Sequence, residues 1–284
     1  MMKDQVWLVT GSSTGFGRKL VEELIAQGIK VVATARKVET LDTLPSTSET
    51  KILKLKLDVT NHDDVTNVVS KAINYFGHLD VLVNNAGYGY AGAIEESDEN
   101  AVREMFETNF WGVSDMTRAV LPYFREQKAG RILNITSIGG LVGVPTFGYY
   151  NATKFAVEGF ANALSQEVKP LGIQITNVEP GPFRTDWAGR SMTGSVHAIA
   201  DYETTAHAQR EMTNQRSGQQ DGSPELAAKA MVKLAQLDEQ PLHFVAGINA
   251  YERATNALEG TLSEFKKFKA DATHLNYGDE DYWQ

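Results

Sequence analysis

Short, almost continuously apolar runs alternate along the chain with longer stretches in which apolar residues recur every three or four positions. Residues 5–10 (QVWLVT), 29–35 (IKVVATA), 53–59, 79–84 (LDVLVN), 131–137 (RILNITS) and 173–179 (IQITNVE) are predicted strands, with 243–248 (HFVAGI) as a last one. Residues 16–26 are a predicted helix, with Leu20, Leu24 and Ile25 as its apolar positions and Gly28 as a stop. Residues 65–75, 100–124 and 150–168 read as further helices. Strands apolar on both faces, separated by helices, call for a parallel sheet covered on both sides. The predicted fold is therefore α/β: a three-layer, doubly wound parallel sheet of Rossmann type with about seven strands. No linker divides it, so residues 1–284 are expected to form one domain.

The alternation stops after Gly181. Residues 190–222 are polar, with a broken apolar pattern at Met192, Val196, Ile199 and Tyr202. Ligands of open parallel sheets bind beyond the carboxyl ends of the strands, and this insertion follows such an end. Residues 188–222 are accordingly expected to form a substrate lid, the plainer alternative being a helical surface excursion. Ser223 and Pro224 suit an N-cap and first helical residue, of a helix running to about Leu237. Residues 252–268 are amphipathic, with Leu258, Leu262 and Phe265 on one side. The tail, 271–284, is acidic and aromatic, and local packing, covering a partner subunit and fraying all stay open for it.

Composition narrows the function. The 284 residues are 42% hydrophobic and 22% charged, with a net charge of -9. That acidity argues against a nucleic-acid partner, which needs concentrated Lys and Arg. It leaves room for an anionic cofactor, which needs only local donors. The chain has no Cys, which excludes disulfides, thiolate nucleophiles and Cys-ligated metals. No apolar run reaches membrane-spanning length, and the first strand begins too early for a cleavable leader. A soluble cytoplasmic protein is the expectation.

Strand, glycine-rich turn, helix is the context expected for a dinucleotide pyrophosphate. The turn holds Gly11, Ser12, Ser13, Thr14, Gly15, Phe16 and Gly17, spaced Gly-x-x-x-Gly-x-Gly. By itself the pattern also suits a tight structural turn, and it lacks the Gly-Lys-Ser/Thr ending of a Walker A loop. The end of the second strand discriminates further. An NAD site usually places Asp or Glu there, whereas this chain has Thr34, Ala35 and Arg36. Arg36 could pair with a 2′-phosphate, or be a solvated strand-end residue. Asp58 and Val59, at the predicted end of the third strand, suit an adenine amino group and its apolar edge, although Asp58 could equally cap the next turn.

The chemistry of hydride transfer singles out a second group. Reducing a carbonyl builds negative charge on oxygen and consumes a proton, and a Tyr hydroxyl can donate both hydrogen bond and proton. A nearby cation favours the phenolate. Tyr150 and Lys154 lie four residues apart on a predicted helix, hence on one face. Ser137, ending the preceding strand, can bind the same substrate oxygen, and Asn109 could hold a water that relays protons to Lys154. Tyr150 is the candidate acid/base and Lys154 its charged, ribose-orienting partner. The competing readings are a half-exposed helix pair and a Ser137 that only bonds strand-end backbone. Ser hydrolysis is a poorer account, since no Gly-x-Ser-x-Gly is present. His197 and His207 form no His-Glu-x-x-His pattern, and no metal is expected.

With Thr10 and the glycine turn, Asn84-Asn85-Ala86-Gly87, Ser137 and Tyr150-x-x-x-Lys154 in order, residues 5–250 resemble the short-chain dehydrogenase/reductase family. The resemblance implies a seven-stranded doubly wound sheet and a nicotinamide cofactor. It implies that Asn85, Ala86 and Gly87 flank that cofactor and that Asn109, Ser137, Tyr150 and Lys154 are catalytic. It further implies that Pro180 and Gly181, followed by Phe183 and Thr185, bind at the carboxamide. Arg36 after a non-acidic Ala35 resembles the NADP-preferring members, although Ser13 and Thr14 stand where those often carry a basic residue. Members are commonly homodimers or homotetramers through the helices after the fourth and fifth strands. Two functions remain: an NADP-linked carbonyl reductase or alcohol dehydrogenase, and a non-catalytic NADP-binding regulator on the same fold. Phe147, Tyr149, Phe183, Trp187 and Met192 would suit a lipophilic, steroid- or retinol-like substrate, or simply pack loop against sheet.

Overall fold

The computed structural model describes residues 4–45, 51–189 and 191–283; Met1, Arg190 of the expected lid and Gln284 of the tail lie outside the described residues. Strand β1 (Val6–Val9) leads to helix α1 (Gly15–Ala26), β2 (Lys30–Ala35), β3 (Ile52–Lys56), α2 (His62–Phe76) and β4 (Val81–Asn84). Next come a short strand β5 (Gly89–Ala91), α3 (Glu99–Phe106), α4 (Gly112–Gln127), β6 (Gly130–Ile135), α5 (Gly148–Val168) and β7 (Ile173–Pro180). The remainder holds β8 (Met192–Gly194), α6 (Ala208–Gln215), α7 (Pro224–Leu234), β9 (His243–Ala246), α8 (Ile248–Lys267) and α9 (Lys269–Thr273).

Seven strands pair in parallel in the order β3-β2-β1-β4-β6-β7-β9. The two-residue period of each strand divides the apolar side chains between two cores. Trp7, Val9, Val31, Ala33, Val81 and Val83 face a core shared with Leu20 and Leu24 of α1 and Ala228 and Met231 of α7. Val6, Leu8, Val32, Leu82 and Ile132 face the other, with Val65 of α2, Met116 and Phe124 of α4 and Leu164 of α5. This is the three-layer architecture that the apolar runs predict. Local chemistry sets the helix ends. Asn61 accepts from the Asp64 amide to cap α2, Asp98 caps α3, and Ser223 caps α7 with Pro224 following.

Three boundaries differ from expectation, each for a local reason. Strand β3 ends at Lys56, short of the predicted Val59. One further bond runs from the Leu57 amide to the Ala35 carbonyl, and then Asp58 Oδ1 accepts from Thr60 N and Thr60 Oγ1 and turns the chain. The predicted helix at 100–124 is longer, from Glu99 to Gln127, and is interrupted by a π-turn at Glu107–Trp111. The last strand stops at Ala246 because Gly247 adopts φ 93°, and α8 starts there rather than at residue 252. Helix α8 buries Ala250 and Ala254, while Leu258, Leu262 and Phe265 are 61%, 51% and 68% exposed. No helix among the described residues is long and apolar enough to cross a membrane.

The corner between α4 and β6 rests on Phe124, which is fully buried and lies where a Cβ on Gly130 would otherwise stand. Phe124→Ala should lower stability by about 3–5 kcal/mol, the range for emptying such a site. Urea unfolding followed by circular dichroism checks this through a reduced midpoint.

Candidate active site

The strand order reverses at β1: the chain runs outward through β2 and β3, then returns to β4 on the other side. The turns that follow β1 and β4 therefore meet, and a crevice opens at the carboxyl ends of these strands. Contact between the turns is close. Gly11 has φ 65°, and a Cβ there would lie 3.0 Å from Ala86 Cα. A Cβ on Gly17 would overlap the Asn85 amide and the Gly11 carbonyl. Asn85 Nδ2 donates to the carbonyls of Thr10 (2.8 Å) and Gly11 (3.0 Å). Thr10 Oγ1 in return accepts from the amides of Asn85 and Ala86, each at 2.9 Å. Ser12 turns inward to the Val9 carbonyl, leaving Ser13, Thr14, Gly15 and Phe16 on the crevice wall. The first turn of α1 carries no carboxylate, and Thr14 makes no side-chain cap. Its amides thus face the crevice without a protein anion, the arrangement a pyrophosphate requires.

Arg36 stands exposed just beyond β2. It makes no ion pair among the described residues, whereas Arg18 is held by Glu22 at 2.8 Å and by Thr43. Tyr88 lies near it: burial and then Glu104 push the phenol up, and Arg36 pulls it back. Asp58 and Val59 line the same crevice, with one Asp58 oxygen already used in the turn.

At the opposite end, Tyr150 and Lys154 are buried on successive turns of α5. Lys154 Nζ donates to the Ile135 carbonyl at 2.9 Å and sits 5.8 Å from the Tyr150 ring centre. Ser137 accepts from the Gly139 amide at 3.0 Å and stands close enough to the Tyr150 hydroxyl to pull the phenol down. Burial pushes the Tyr150 phenol up to about 12 against the Ser137 bond, and pushes Lys154 down to about 8 against the charge of Glu158. Desolvation is thus the larger influence on each group. Asn109 is fully buried in the π-turn. Its amide donates to Tyr88 O (2.8 Å) and Thr153 Oγ1 (3.1 Å), and its oxygen accepts from Tyr88 N (3.0 Å). Both donors are committed, so the side chain fixes the loop after β4.

Pro180 and Gly181 close β7, and a Cβ on Gly181 would lie 3.0 Å from the Ala250 side chain at the start of α8. Phe183 meets Phe16 edge-on at 5.1 Å, on the cofactor side of the crevice. Thr185 accepts from the Trp187 amide at 3.4 Å and starts the turn that brings Trp187 over Tyr150, with ring centres 5.2 Å apart. Trp187 also contacts Phe147 at 5.8 Å, and it occupies the space that a Cβ on Gly89 would need. Every residue assigned from sequence lines one cavity of about 1570 Å³, except Gly17 and Asn109, which lie behind its wall. Gly87 and Ala86 complete the wall beside Lys154. Tyr149 and Met192 pack behind Phe147 and Trp187 rather than lining the cavity, and Met212 of α6 lines it instead.

Two polar centres had escaped the sequence reading. The Glu96 carboxylate accepts from the Ile199 amide at 2.6 Å and meets His207 at 2.7 Å, tying the 190–222 segment to the body. Strand β8 of that segment also pairs with β5. The second centre comprises Glu158, Glu179 and His243, behind Lys154. Its one visible signal was a carboxylate, Glu179, inside an apolar strand.

Known proteins place this arrangement. The profile described as short chain dehydrogenase matches residues 5–195. A 3-ketodihydrosphingosine reductase of Bacteroides thetaiotaomicron is 43% identical over 70% of this chain and 73% of its own. A solved short-chain dehydrogenase from Streptomyces avermitilis has a TM-score of 0.89 and 35% identity, covering 96% of this chain and 98% of its own. An alcohol dehydrogenase from the archaeon Thermococcus sibiricus, complexed with 5-hydroxy-NADP, has a TM-score of 0.71 and 25% identity over 85% of this chain and 95% of its own. The glycine turn clamped by Asn85, the Ser137–Tyr150–Lys154 group and these matches agree: the chain belongs to the short-chain dehydrogenase family.

Proposed function

We propose that the protein transfers a hydride between NADP(H) and a carbonyl or secondary-alcohol carbon, with Tyr150 as acid/base. The observation that carries this is the buried Tyr150 side chain, beside Ser137, one helical turn from Lys154 and lining the cavity that holds the glycine turn. The nicotinamide supplies or accepts the hydride. Ser137 holds the substrate oxygen, and the Tyr150 O–H passes its proton to that oxygen as negative charge develops. The phenolate left behind is stabilised by the Lys154 ammonium until it regains a proton from solvent. Burial keeps the phenol protonated at neutral pH, which suits the acid role in carbonyl reduction. Asn109 fixes the Tyr88 backbone in the cavity wall, and a water held by Asn109 would relay protons to Lys154.

Arg36, without an ion pair among the described residues and beyond a strand with no acidic terminus, supports a 2′-phosphate and hence NADP over NAD. The complex of the Thermococcus relative with an NADP derivative accords with this. Phe147, Trp187 and Met212 give the substrate end an apolar wall, and the name of the Bacteroides relative specifies a keto substrate. A lipophilic ketone, covered by the 188–222 segment as a lid, fits both. Homo-oligomers would form through α4 and α5; the flanking π-turn exposes Trp111, and α5 exposes Phe155.

Tyr150→Phe should abolish NADPH oxidation over a panel of lipophilic ketones while leaving NADPH binding by fluorescence intact. Retained turnover would overturn the acid/base assignment, and a wild-type chain inert to the whole panel would favour a non-catalytic NADP-binding protein. Arg36→Ala should lower kcat/KM for NADPH by about 10–100-fold, the value of a charge-assisted phosphate bond, and spare NADH. The reduction rate should fall as pH rises past about 8, where Lys154 loses the charge that the phenolate needs. Steady-state rates from pH 6 to 10 check the sign.

A further inference from the structure

Three strands of the sheet carry an asparagine at matched positions: Asn84 pairs in register with Asn134, and Asn134 with Asn177. The next residue in register is His243. The amides are buried and point one way. Asn84 Nδ2 donates to Asn134 Oδ1 (2.9 Å), Asn134 Nδ2 donates to Asn177 Oδ1 (3.0 Å), and Asn177 Nδ2 donates to Glu158 Oε2. Each dipole therefore turns its positive end toward Glu158, and such chains polarise cooperatively. Glu158 lies 3.6 Å from His243 Nδ1. Glu179 shares the same imidazole nitrogen at 2.6 Å.

Glu158 is one helical turn beyond Lys154, on the same buried face of α5. A Cβ on Gly140 would touch both, lying 3.3 Å from Glu158 Oε1 and from the Lys154 carbonyl carbon. That oxygen is buried and has no hydrogen-bond partner. A buried carboxylate needs compensation, and a buried ammonium needs the same. We infer that Glu158 is a positioning residue for Lys154: its carboxylate, held by the asparagine ladder, secures the ammonium charge beside Tyr150. This rests on the Tyr150–Lys154 reading above and extends it to residues outside the cavity.

The charged or titratable groups facing Glu158 are Lys154 on its own helix, Glu179 on β7 and His243 on β9. Burial raises the Glu158 acid, while Thr136, Asn177, His243 and Lys154 pull it back. The Glu179 acid is pushed up to about 7, mainly by burial, while its contact with His243 pulls it back. Glu158, which accepts from Asn177 Nδ2, is the carboxylate on the lysine's own helix face.

Glu158→Gln tests this. Removing an anion beside a cation lowers the pKa of the cation, so Lys154 should titrate about one unit lower. Two readouts follow. The 13Cε resonance of Lys154, assigned by its loss in Lys154→Met, should move its midpoint down in the protein without cofactor. The alkaline limb of ketone reduction should shift by the same amount, giving a roughly five- to tenfold loss above pH 8 and little loss at pH 6. Glu158→Asp, which keeps the charge, should return both toward wild type. An unmoved Lys154 midpoint, or a rate loss uniform with pH, would overturn the inference. If Glu158→Gln does not fold, Asn177→Ala should produce a smaller shift in the same direction, and no shift overturns it likewise. An inactive Tyr150→Phe with an unmoved limb in Glu158→Gln refutes only the role of Glu158, whereas an active Tyr150→Phe refutes the parent reading.

Discussion

The clamp between the turn after β1 and the turn after β4 is the contact on which the site depends. Thr10 accepts two amides from the second turn, and the Asn85 side chain returns two donations to the first. No side chain fits at Gly11 or Gly17 without pushing the turns apart. With the turns locked, the start of α1 faces the crevice. Asn109 then ties the next residues, through Tyr88, to Thr153 beside Tyr150 and Lys154. Cofactor end and chemical end are thus joined by hydrogen bonds rather than by apolar contact alone.

A second constraint is electrostatic. The proposed chemistry places a phenol and an ammonium side by side in the interior, and burial opposes the charged form of each. The sheet answers with polar groups placed where an apolar core would otherwise continue. Amides run across β4, β6 and β7 on the side that packs against α5, and end at a carboxylate on that helix. The row follows the strand register, Asn84 opposite Asn134 and Asn134 opposite Asn177, at the point where α5 packs on the sheet.

Much of this was legible in the chain. Apolar runs bounded by glycine and polar turns marked the seven strands, because a strand buried on both faces tolerates little else. The glycine turn and the Tyr150–Lys154 spacing could be read because each follows from local geometry: a positive φ at Gly11, and one helical turn between two side chains. Boundaries failed where a side chain competed with the ladder, as at Asp58, or where a glycine broke a strand early, as at Gly247. The apolar stripe at Leu258, Leu262 and Phe265 was correctly read as helical, but periodicity does not say what a face packs against.

The sequence by itself determined the layered α/β fold, the glycine turn and the pairing of Tyr150 with Lys154 on one helix face, since these depend on residues adjacent in the chain or one helical turn apart. Only the tertiary structure decided that Trp187 covers Tyr150, that Asn109 spends its amide on Tyr88 and Thr153, and that Tyr149 stands behind the wall. It alone brought Asn84, Asn134, Asn177 and Glu158 into one row. Their separations along the chain carry no periodic signal. Sheet pairing sets the register of the asparagines, and packing of α5 on the sheet brings Glu158 to their end.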